Sequence, residues 1–339
     1  MRRAAKALMI ATGAVAAAAT LERRFFAAPR YRGPVTDHFD GQRFRNPRAA
    51  LQSGSAFLKW QLNRQRGTWR DIDASPAPRP PMQVGEGGLR ITFINHSTTL
   101  IQLDGINILT DPVWSKRVSP VGFAGPRRHV PPGIRFEDLP PIDIVLVSHN
   151  HYDHLDVNTL KRLRDCRIIT PLGNAALLRR HGIAATELDW WESDGNITAV
   201  PAQHFSARGL TDRDRNLWSG FVIGSRFGNV YFAGDTGWGA HFKEIALRHD
   251  PIRLALLPIG AYLPRWFMRH AHINPSEAVD AHYALRAQTS VAIHFGTFEL
   301  GDDGQEEPVW DLKEAIKGKG NPRFWILQQG EGRDIPPID

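Results

Sequence analysis

The stretch VSHNHYDH at residues 147–154 places three histidines and an aspartate within six residues, directly after an apolar run. His149 and His151 are two residues apart, so in an extended turn their imidazoles project to the same side, whereas Asp153 and His154 point elsewhere. Neutral imidazole and carboxylate together suit Zn²⁺, with Mn²⁺ and Fe²⁺ as alternatives. The stretch therefore predicts a metal site at the end of a buried strand.

One loop cannot supply every ligand for two ions, so further ligands should follow other strands. His204, Asp235 and His294 each stand where an apolar run stops. Taken singly, each is equally compatible with a capping or packing role. The small residues Gly234 and Gly237 beside Asp235 would allow the backbone to approach a metal closely. Together with the 147–154 stretch, these positions predict a site built from several strand ends.

The composition is that of a globular protein, with 339 residues, 42% hydrophobic and 23% charged. This content excludes disorder as the main state, and the length allows a sizeable core. Cys166 is the one cysteine, which excludes an intramolecular disulfide, an iron–sulfur cluster and any zinc site with two or more cysteines.

The net charge of +7 is unevenly distributed along the chain. Residues 1–90 contain 16 Lys+Arg and 6 Asp+Glu, a net of +10, whereas the other 26 basic and 29 acidic residues give −3. A nucleic-acid enzyme would more often carry basic charge across its working surface, so this distribution argues against a nucleic-acid partner. The basic segment is better suited to targeting or to contact with anionic lipid.

Residues 1–21 resemble a secretory signal or membrane anchor. Arg2, Arg3 and Lys6 precede an uncharged, alanine-rich run of 15 residues, which is shorter than the ~20 that span a bilayer comfortably. The alternative is an uncleaved tail on a cytoplasmic, membrane-peripheral protein. We expect the cell envelope, periplasmic or membrane-associated, as the location.

Three segments are predicted: the signal-like residues 1–21, a basic arm at 22–88 that docks on the body, and a catalytic domain at 89–339. Within the arm, residues 55–66 predict a helix, in which the sequence indicates no chemistry. In the body, β-branched runs alternate with amphipathic runs, which predicts an α/β (α+β) single domain. The expected strands are 89–94, 99–103, 106–110, 142–148, 167–170, 197–201, 218–223, 229–233, 254–258 and 290–294. The expected helices are 156–164, 174–180, 240–247, 275–285 and 310–317.

The order HxHxDH, His204, Asp235, His294 resembles that of the metallo-β-lactamase-fold hydrolases over about residues 89–330. The resemblance implies an αββα sandwich with a groove that holds two Zn²⁺. It implies that His149, His151 and His204 bind one ion, that Asp153, His154 and His294 bind the other, and that Asp235 bridges both.

Several longer stretches are similar to the branch of N-acylphosphatidylethanolamine-hydrolysing phospholipases D. They are Asn95–Thr98, Leu109–Pro112, Pro201–His204, Phe232–Gly237, Ile259–Tyr262, Pro264–Met268, His272 with Asn274–Val279, and Ala292–Phe298. Residues 264–268 are the most discriminating, because they lie outside the generic metal motif. The basic N-terminal segment and Asn274, where an acidic residue is typical, depart from the branch.

The branch implies a phosphodiesterase of lipid metabolism that releases an N-acylethanolamine and leaves phosphatidate. Two divalent ions can hold a bridging hydroxide and polarise a phosphodiester. Asp153 and Asp235 are the candidate catalytic carboxylates, and Asp235 can orient the nucleophile and take up its proton. His272 can donate a hydrogen bond or a proton to a substrate oxygen, and His270 competes for this role.

Tyr262, Arg265, Trp266 and Met268 are candidate substrate-binding residues, as a lip that binds an acyl chain and phosphate at a membrane surface. The alternative is a packed loop, and the same choice holds for Trp190 and Trp191. The resemblance places Asp111 near the metal site, where it is expected to orient a ligand histidine, and His96 has the same expected role. For His96 a packing role is an equal alternative.

Three functions remain open from the sequence. The first is the zinc phosphodiesterase acting on phospholipid at a membrane surface, as a monomer or a homodimer. The second keeps the fold but hydrolyses a lactone or a soluble phosphodiester. The third is a non-catalytic envelope protein that retained the fold, against which the intact ligand set argues. A nuclease is disfavoured by the acidic body.

Overall fold

The computed structural model describes residues 26–46 and 54–338, and the predicted signal-like segment 1–21 lies outside this range. Within it, the strands form two sheets of seven, which pack face to face. Side chains from both sheets, including Phe93, Ile101, Phe221 and Leu256, fill the layer between them. The αββα sandwich expected from the sequence is confirmed.

The first sheet contains β1 (Leu89–Asn95), β2 (Thr98–Leu103), β3 (Ile106–Thr110), β4 (Ile144–Leu146), β5 (Arg167–Pro171) and β6 (Thr186–Leu188). The second contains β7 (Ser193–Asp194), β8 (Ile197–Val200), β9 (Gly220–Ile223), β10 (Asn229–Phe232), β11 (Ile252–Pro258), β12 (Thr289–Ile293) and β13 (Phe324–Trp325). The last strand, β14 (Gly332–Asp334), returns to the first sheet beside β1.

Each sheet combines an antiparallel half with a parallel half. In the first sheet β1, β2 and β3 are antiparallel neighbours, and β3 to β6 run parallel. In the second sheet β7 to β10 are antiparallel neighbours, and β10 to β13 run parallel. The carboxyl ends of parallel strands lie at one edge of their sheet. Residues that follow β4 in the first sheet can therefore meet residues that follow β10 and β12 in the second.

Helices cover the outer faces. The described helices are α1 (Gly54–Leu62), α2 (Val157–Arg162), α3 (Asn174–Arg179), α4 (His241–His249), α5 (Arg265–Met268), α6 (Pro275–Ala284) and α7 (Glu307–Gly318). Helices α2 and α3 pack on the first sheet, whereas α4, α6 and α7 pack on the second. A short 3₁₀ helix spans Phe136–Asp138. None of the helices in the described ranges is long and apolar enough to cross a membrane.

The described parts of the basic arm lie against the sandwich. Phe39 and Phe44 are buried with Trp218 of the body. Farther along, Asp302 accepts hydrogen bonds from the indole nitrogen of Trp60 at 3.0 Å and from Nε of Arg64 at 2.9 Å. The arm therefore shares a hydrophobic core and buried polar contacts with the body.

His38 joins the arm to the body between two carboxylates. Its Nδ1 lies 2.6 Å from Oδ1 of Asp37, and its Nε2 lies 2.7 Å from Oδ1 of Asp189. Its ring stacks on Trp190, whose indole nitrogen donates to the carbonyl of Trp218, so Trp190 packs inside the fold. Burial opposes the charge on His38, but its hydrogen bonds to Asp189 and Asp37 outweigh burial and raise its pKa above 6.5.

We expect the arm to be held more tightly at acidic pH. A group whose folded pKa is raised adds stability below its ordinary pKa, and this stability is lost as the pH rises through the folded value. Amide hydrogen exchange of residues 36–44 should therefore quicken as the pH rises from 6 through that value, after correction for intrinsic exchange. His38→Gln should remove the added protection at acidic pH. An equal change with pH in both proteins would show that another group is responsible.

Candidate metal centre

The loop after β4 carries the first four predicted ligands. It begins where the buried run of β4 ends, and Asp156 closes it by capping α2, accepting from the amide of Asn158. His149, His154 and Asp153 are buried, and His151 is half-buried. The amides of His154 and Leu155 both donate to the carbonyl of His151, which folds the loop into a tight turn.

The remaining ligands come from other strand ends, as the sequence predicts. His204 follows β8, Asp235 follows β10 and His294 follows β12. Gly234 has φ +59°, and a Cβ there would lie 2.6 Å from Cβ of Ser148, so this position excludes a side chain. A Cβ on Gly237 would lie 2.8 Å from the carbonyl oxygen of His270. Both glycines allow the Asp235 turn to approach its neighbours closely.

Oδ2 of Asp235 lies at the centre of the cluster. It is 3.1 Å from Nε2 of His294 and 3.3 Å from Nε2 of His154. It is 3.7 Å from Nε2 of His204 and 3.9 Å from Nε2 of His149. One carboxylate therefore reaches histidines of both predicted ligand groups, which is the placement that a bridging ligand needs.

Candidate donor atoms lie within 4.8 Å of one another in three overlapping groups of side chains, the third of which is Asp235, His272 and His294. The first group is His149, His151, His204 and Asp235, and the second is His96, Asp153, His154 and His294. His96, expected behind the ligands, lies in the second group, with Nε2 at 3.0 Å from Oδ2 of Asp153.

The donor atoms fit a divalent cation. Nε2 of His154, Nε2 of His294 and Oδ1 of Asp235 are buried, and none of them has a hydrogen-bond partner among the described residues. Leaving such atoms unsatisfied costs about 1–3 kcal/mol each, whereas a bound cation would pair with all three. Nitrogen and carboxylate oxygen are also the donors that zinc and related ions prefer.

The pKa values of the predicted ligands also suit metal binding. Burial lowers the pKa of His149 and His204 well below 6.5, so both rings are neutral and each retains a lone pair for a ligand. Burial alone would raise the pKa of Asp235, but the neighbouring His154 and His294 lower it well below 3.8. The neighbouring carboxylates in turn raise the pKa of His154 well above 6.5 and that of His294 to about 9, so these two rings carry positive charge that a bound cation would replace.

Asp111 lies behind the predicted ligands and contacts one of them, His154, together with Ser148. Its Oδ2 is 2.5 Å from Nδ1 of His154 and accepts from the hydroxyl of Ser148 at 2.6 Å. Its Oδ1 accepts from the amide of Ser148 at 2.7 Å. With Nδ1 engaged by Asp111, Nε2 of His154 is left to face Asp235. His96, Asp111 and His294 all have positive φ, a costly backbone geometry that often accompanies functional sites.

His272 lies at the edge of the cluster, on the loop between α5 and α6. Its Nδ1 is 3.9 Å from Oδ2 of Asp235, and its ring packs against those of His204 and His294. The nearby His270 also lines the cavity described next. His270 and His272, which the sequence left as alternatives for one catalytic role, therefore both line this cavity. His272 also has a donor atom close to those of Asp235 and His294.

A cavity of about 450 Å³ opens over the cluster. Its polar wall includes His151, Asp153, His204, Asp235, His270, His272 and His294. Its apolar wall includes Phe57, Trp60, Phe205, Leu210, Phe267, Met268 and Leu300. The space therefore joins the polar His/Asp cluster to an apolar wall, a combination typical of small-molecule binding sites.

Phe57 and Trp60 of α1 were missed by the sequence analysis, which found a helix in the arm but no chemistry. The indole of Trp60 stacks on Phe267 of α5 with ring centroids 4.9 Å apart. The available signal was a pair of aromatic side chains three residues apart, which share one helix face. Arm and body together therefore build the cavity wall.

Of the four predicted substrate-binding residues, Met268 lines the cavity, and the other three have different contacts. The hydroxyl of Tyr262 donates to Asp311 at 2.6 Å. Trp266 is 43% exposed beside Lys59 of α1.

Arg265 contacts other residues of the protein, and its predicted role in substrate binding stays a prediction. Its Nη1 donates to the carbonyl of His272 at 2.9 Å, and its Nη2 pairs with Glu277 at 2.8 Å. The guanidinium is therefore engaged in holding the His272 loop, away from the cavity.

Comparison with known proteins shows the family. A family profile described as a Beta-lactamase superfamily domain matches residues 106–295. An N-acyl-phosphatidylethanolamine-hydrolyzing phospholipase D of Caenorhabditis elegans is 42% identical over 269 residues, covering 73% of this chain and 76% of that protein.

Two further proteins are similar. A mitochondrial N-acyl-phosphatidylethanolamine-hydrolyzing phospholipase D of Saccharomyces cerevisiae is 35% identical over 238 residues, covering 66% of this chain and 50% of that protein. Among solved structures, a metallo hydrolase of Ignicoccus hospitalis superposes with a TM-score of 0.57 at 21% identity, covering 74% of this chain and 99% of that one. At this sequence identity the structural match supports the fold and nothing further.

Proposed function

As the chain belongs to the metallo-β-lactamase superfamily, in the branch with N-acyl-phosphatidylethanolamine-hydrolysing phospholipases D, we propose that it is a phospholipase of D type. The substrate is an N-acylated phosphatidylethanolamine or a related phospholipid. Water adds its oxygen to phosphorus, and the bond from phosphorus to the ethanolamine oxygen breaks. The products are an N-acylethanolamine, which takes up a proton, and phosphatidate.

The observation that carries this proposal is the cavity of about 450 Å³ that joins the His/Asp cluster to an aromatic and aliphatic wall. A soluble phosphodiester would leave Phe57, Trp60 and Met268 without a partner in the substrate. An acyl chain would cover them, at about 25 cal/mol per Å² of apolar surface removed from water.

Two divalent ions, Zn²⁺ in our proposal, would be held by the two groups of ligands with Asp235 between them. Bound there, they would supply Lewis-acid polarisation of the phosphodiester and a more acidic water. Asp235 and Asp153 would accept hydrogen bonds from the attacking water and orient it. His272, at the rim of the cluster, would donate a hydrogen bond to the leaving oxygen, and Arg265 would hold its loop in place.

The test offers purified protein two kinds of substrate, vesicles that contain N-acylphosphatidylethanolamine and soluble acyl lactones. We expect N-acylethanolamine and phosphatidate from the vesicles. Activity on the lactones alone would reject the phospholipase proposal and favour a lactonase of the same fold. Oxygen-18 water should label phosphatidate and leave the N-acylethanolamine unlabelled, since the attack is on phosphorus.

We also propose that the mouth of the cavity rests on a membrane surface. Leu58 and Leu62 are 58% and 76% exposed on α1, the helix whose Lys59 lies over the ring of Trp266 of α5. Cations of the same region, including Lys59 beside the ring of Trp266, would favour anionic headgroups. The envelope location proposed from residues 1–21 would place the protein at such a surface.

We expect the double variant Leu58→Ser, Leu62→Ser to bind vesicles containing anionic phospholipid about tenfold more weakly, which corresponds to about 1.4 kcal/mol. Partial burial of two leucines in the interface accounts for a loss of this size. Vesicle sedimentation measures it. Leu247→Ser is the matched control, since Leu247 is 77% exposed on α4. Equal binding by the double variant and the control would contradict this orientation.

A further inference from the structure

Asn46 of the arm contacts the main chain of His204 on both sides of that residue. Its Nδ2 donates to the carbonyl of His204 at 2.7 Å, and its Oδ1 accepts from the amide of His204 at 3.2 Å. The two residues are 158 positions apart in the chain. A single carboxamide thereby satisfies both backbone groups of a predicted ligand.

His204 needs such a partner because its backbone lies outside the strands. β8 ends at Val200, and β9 begins only at Gly220. The ladder of the sheet therefore gives His204 no hydrogen bonds, and its main chain depends on contacts from elsewhere. Asn46 supplies the two contacts that a neighbouring strand would otherwise make.

The ring of His204 is held separately from its backbone. Its Nδ1 donates to the carbonyl of Ala271 at 2.9 Å, which leaves Nε2 to face Oδ2 of Asp235 at 3.7 Å. The contact with Ala271 fixes the rotation and tautomer of the ring. Asn46 fixes the position of the His204 main chain, from which the ring extends. Both are needed to place Nε2 within the first ligand group.

Asn46 itself is anchored by the arm segment that precedes it. The amide of Phe44 donates to the carbonyl of Asp214 at 2.7 Å, and the Phe44 ring is 1% exposed. The amide of Arg45 donates to the carbonyl of His38 at 2.9 Å. Asn46 therefore extends from a fixed point of the arm toward the metal centre.

We infer that Asn46 is a positioning residue for His204, and that the docked arm is thereby a working part of the active site. This inference rests on the metal centre proposed above. Loss of the Asn46 side chain should affect one ion more than the other, because Asn46 is hydrogen-bonded to His204 of the first ligand group. This loss should loosen one ion and leave the other in place.

The experiment compares wild type, Asn46→Ala and Asn63→Ala by competition with a chromophoric zinc chelator. Asn63 is the matched control, since it lies in the arm and its side-chain amide donates to the carbonyl of Lys59 on the same helix end. For Asn46→Ala we expect one Zn²⁺ to bind about 10- to 100-fold more weakly, with the second Zn²⁺ unchanged within about twofold. Asn63→Ala should match wild type at both positions.

Two outcomes would overturn the inference. The first is that both affinities of Asn46→Ala match those of wild type. The second is that both affinities fall together with a lower Tm, since general destabilisation has no preference between the ions. A wild-type chain that binds no Zn²⁺ would instead reject the metal centre itself, so the two failures are distinguishable.

Discussion

Replacing Asp235 by Asn should reduce kcat/KM for the phospholipid by more than about 100-fold. Substitution of groups that merely orient ligands already costs about 10- to 100-fold in metal affinity or activity, and in our proposal Asp235 would contact both ions. Its Oδ2 lies within 4 Å of histidines from both ligand groups. Asparagine keeps the shape of the side chain but removes the negative charge between the cations.

The measurement is steady-state hydrolysis of N-acylphosphatidylethanolamine vesicles, with metal content determined on the same samples. Asp138→Asn is the matched control, because Asp138 is a buried carboxylate that pairs with Arg79 and Arg135 instead of the cluster. If Asp235→Asn retained wild-type activity on every substrate that wild type hydrolyses, the two-ion mechanism would be wrong.

Removal of the metal ions should abolish activity and lower the Tm by roughly 10 °C. An ion present at 100 times its Kd stabilises the fold by about 2.7 kcal/mol, and two ions contribute about twice that. For a chain of this size each kcal/mol corresponds to roughly 1.5–2 °C. Part of the loss has a direct structural source, since the buried donors of His154, His294 and Asp235 would again lack partners.

Chelation followed by removal of the chelator gives the test, with differential scanning calorimetry and hydrolysis measured side by side. Zn²⁺ or Mn²⁺ added back should restore both quantities. Leu247→Ser provides a control, since Leu247 is exposed on α4 and is not among the residues of the cluster. Full activity in protein shown by metal analysis to be free of ions would contradict a metal-dependent mechanism.

The catalytic part of the fold could be predicted from the sequence because its signals are local. The hairpin of β2 and β3 carries its turn at Asp104 and Gly105, and the predicted bounds of β3 match the structure. The metal loop follows an apolar strand directly, so its position needed no tertiary information. The two-residue strands β7 and β13 were not predicted, because so few residues show no periodicity.

The contributions of the arm could not be predicted in this way. Asn46 meets His204 across 158 residues and Trp60 meets Asp302 across 242, so both contacts depend on the completed fold. The lip at residues 262–268 shows a second limit, although its Met268 does line the cavity. Its aromatic and basic composition indicated substrate contact, but Arg265 pairs with Glu277, and Tyr262 pairs with Asp311. Composition could not show which partner inside the protein each side chain had.

The central claim is that a two-ion His/Asp centre beneath an apolar cavity cleaves a phospholipid. One preparation of the full chain, assayed for metal by plasma mass spectrometry and for products on N-acylphosphatidylethanolamine vesicles, tests it most directly. We predict two divalent ions per chain together with N-acylethanolamine and phosphatidate. Fewer than two ions in a fully active sample, or two ions with no hydrolysis of any phospholipid, would contradict the account.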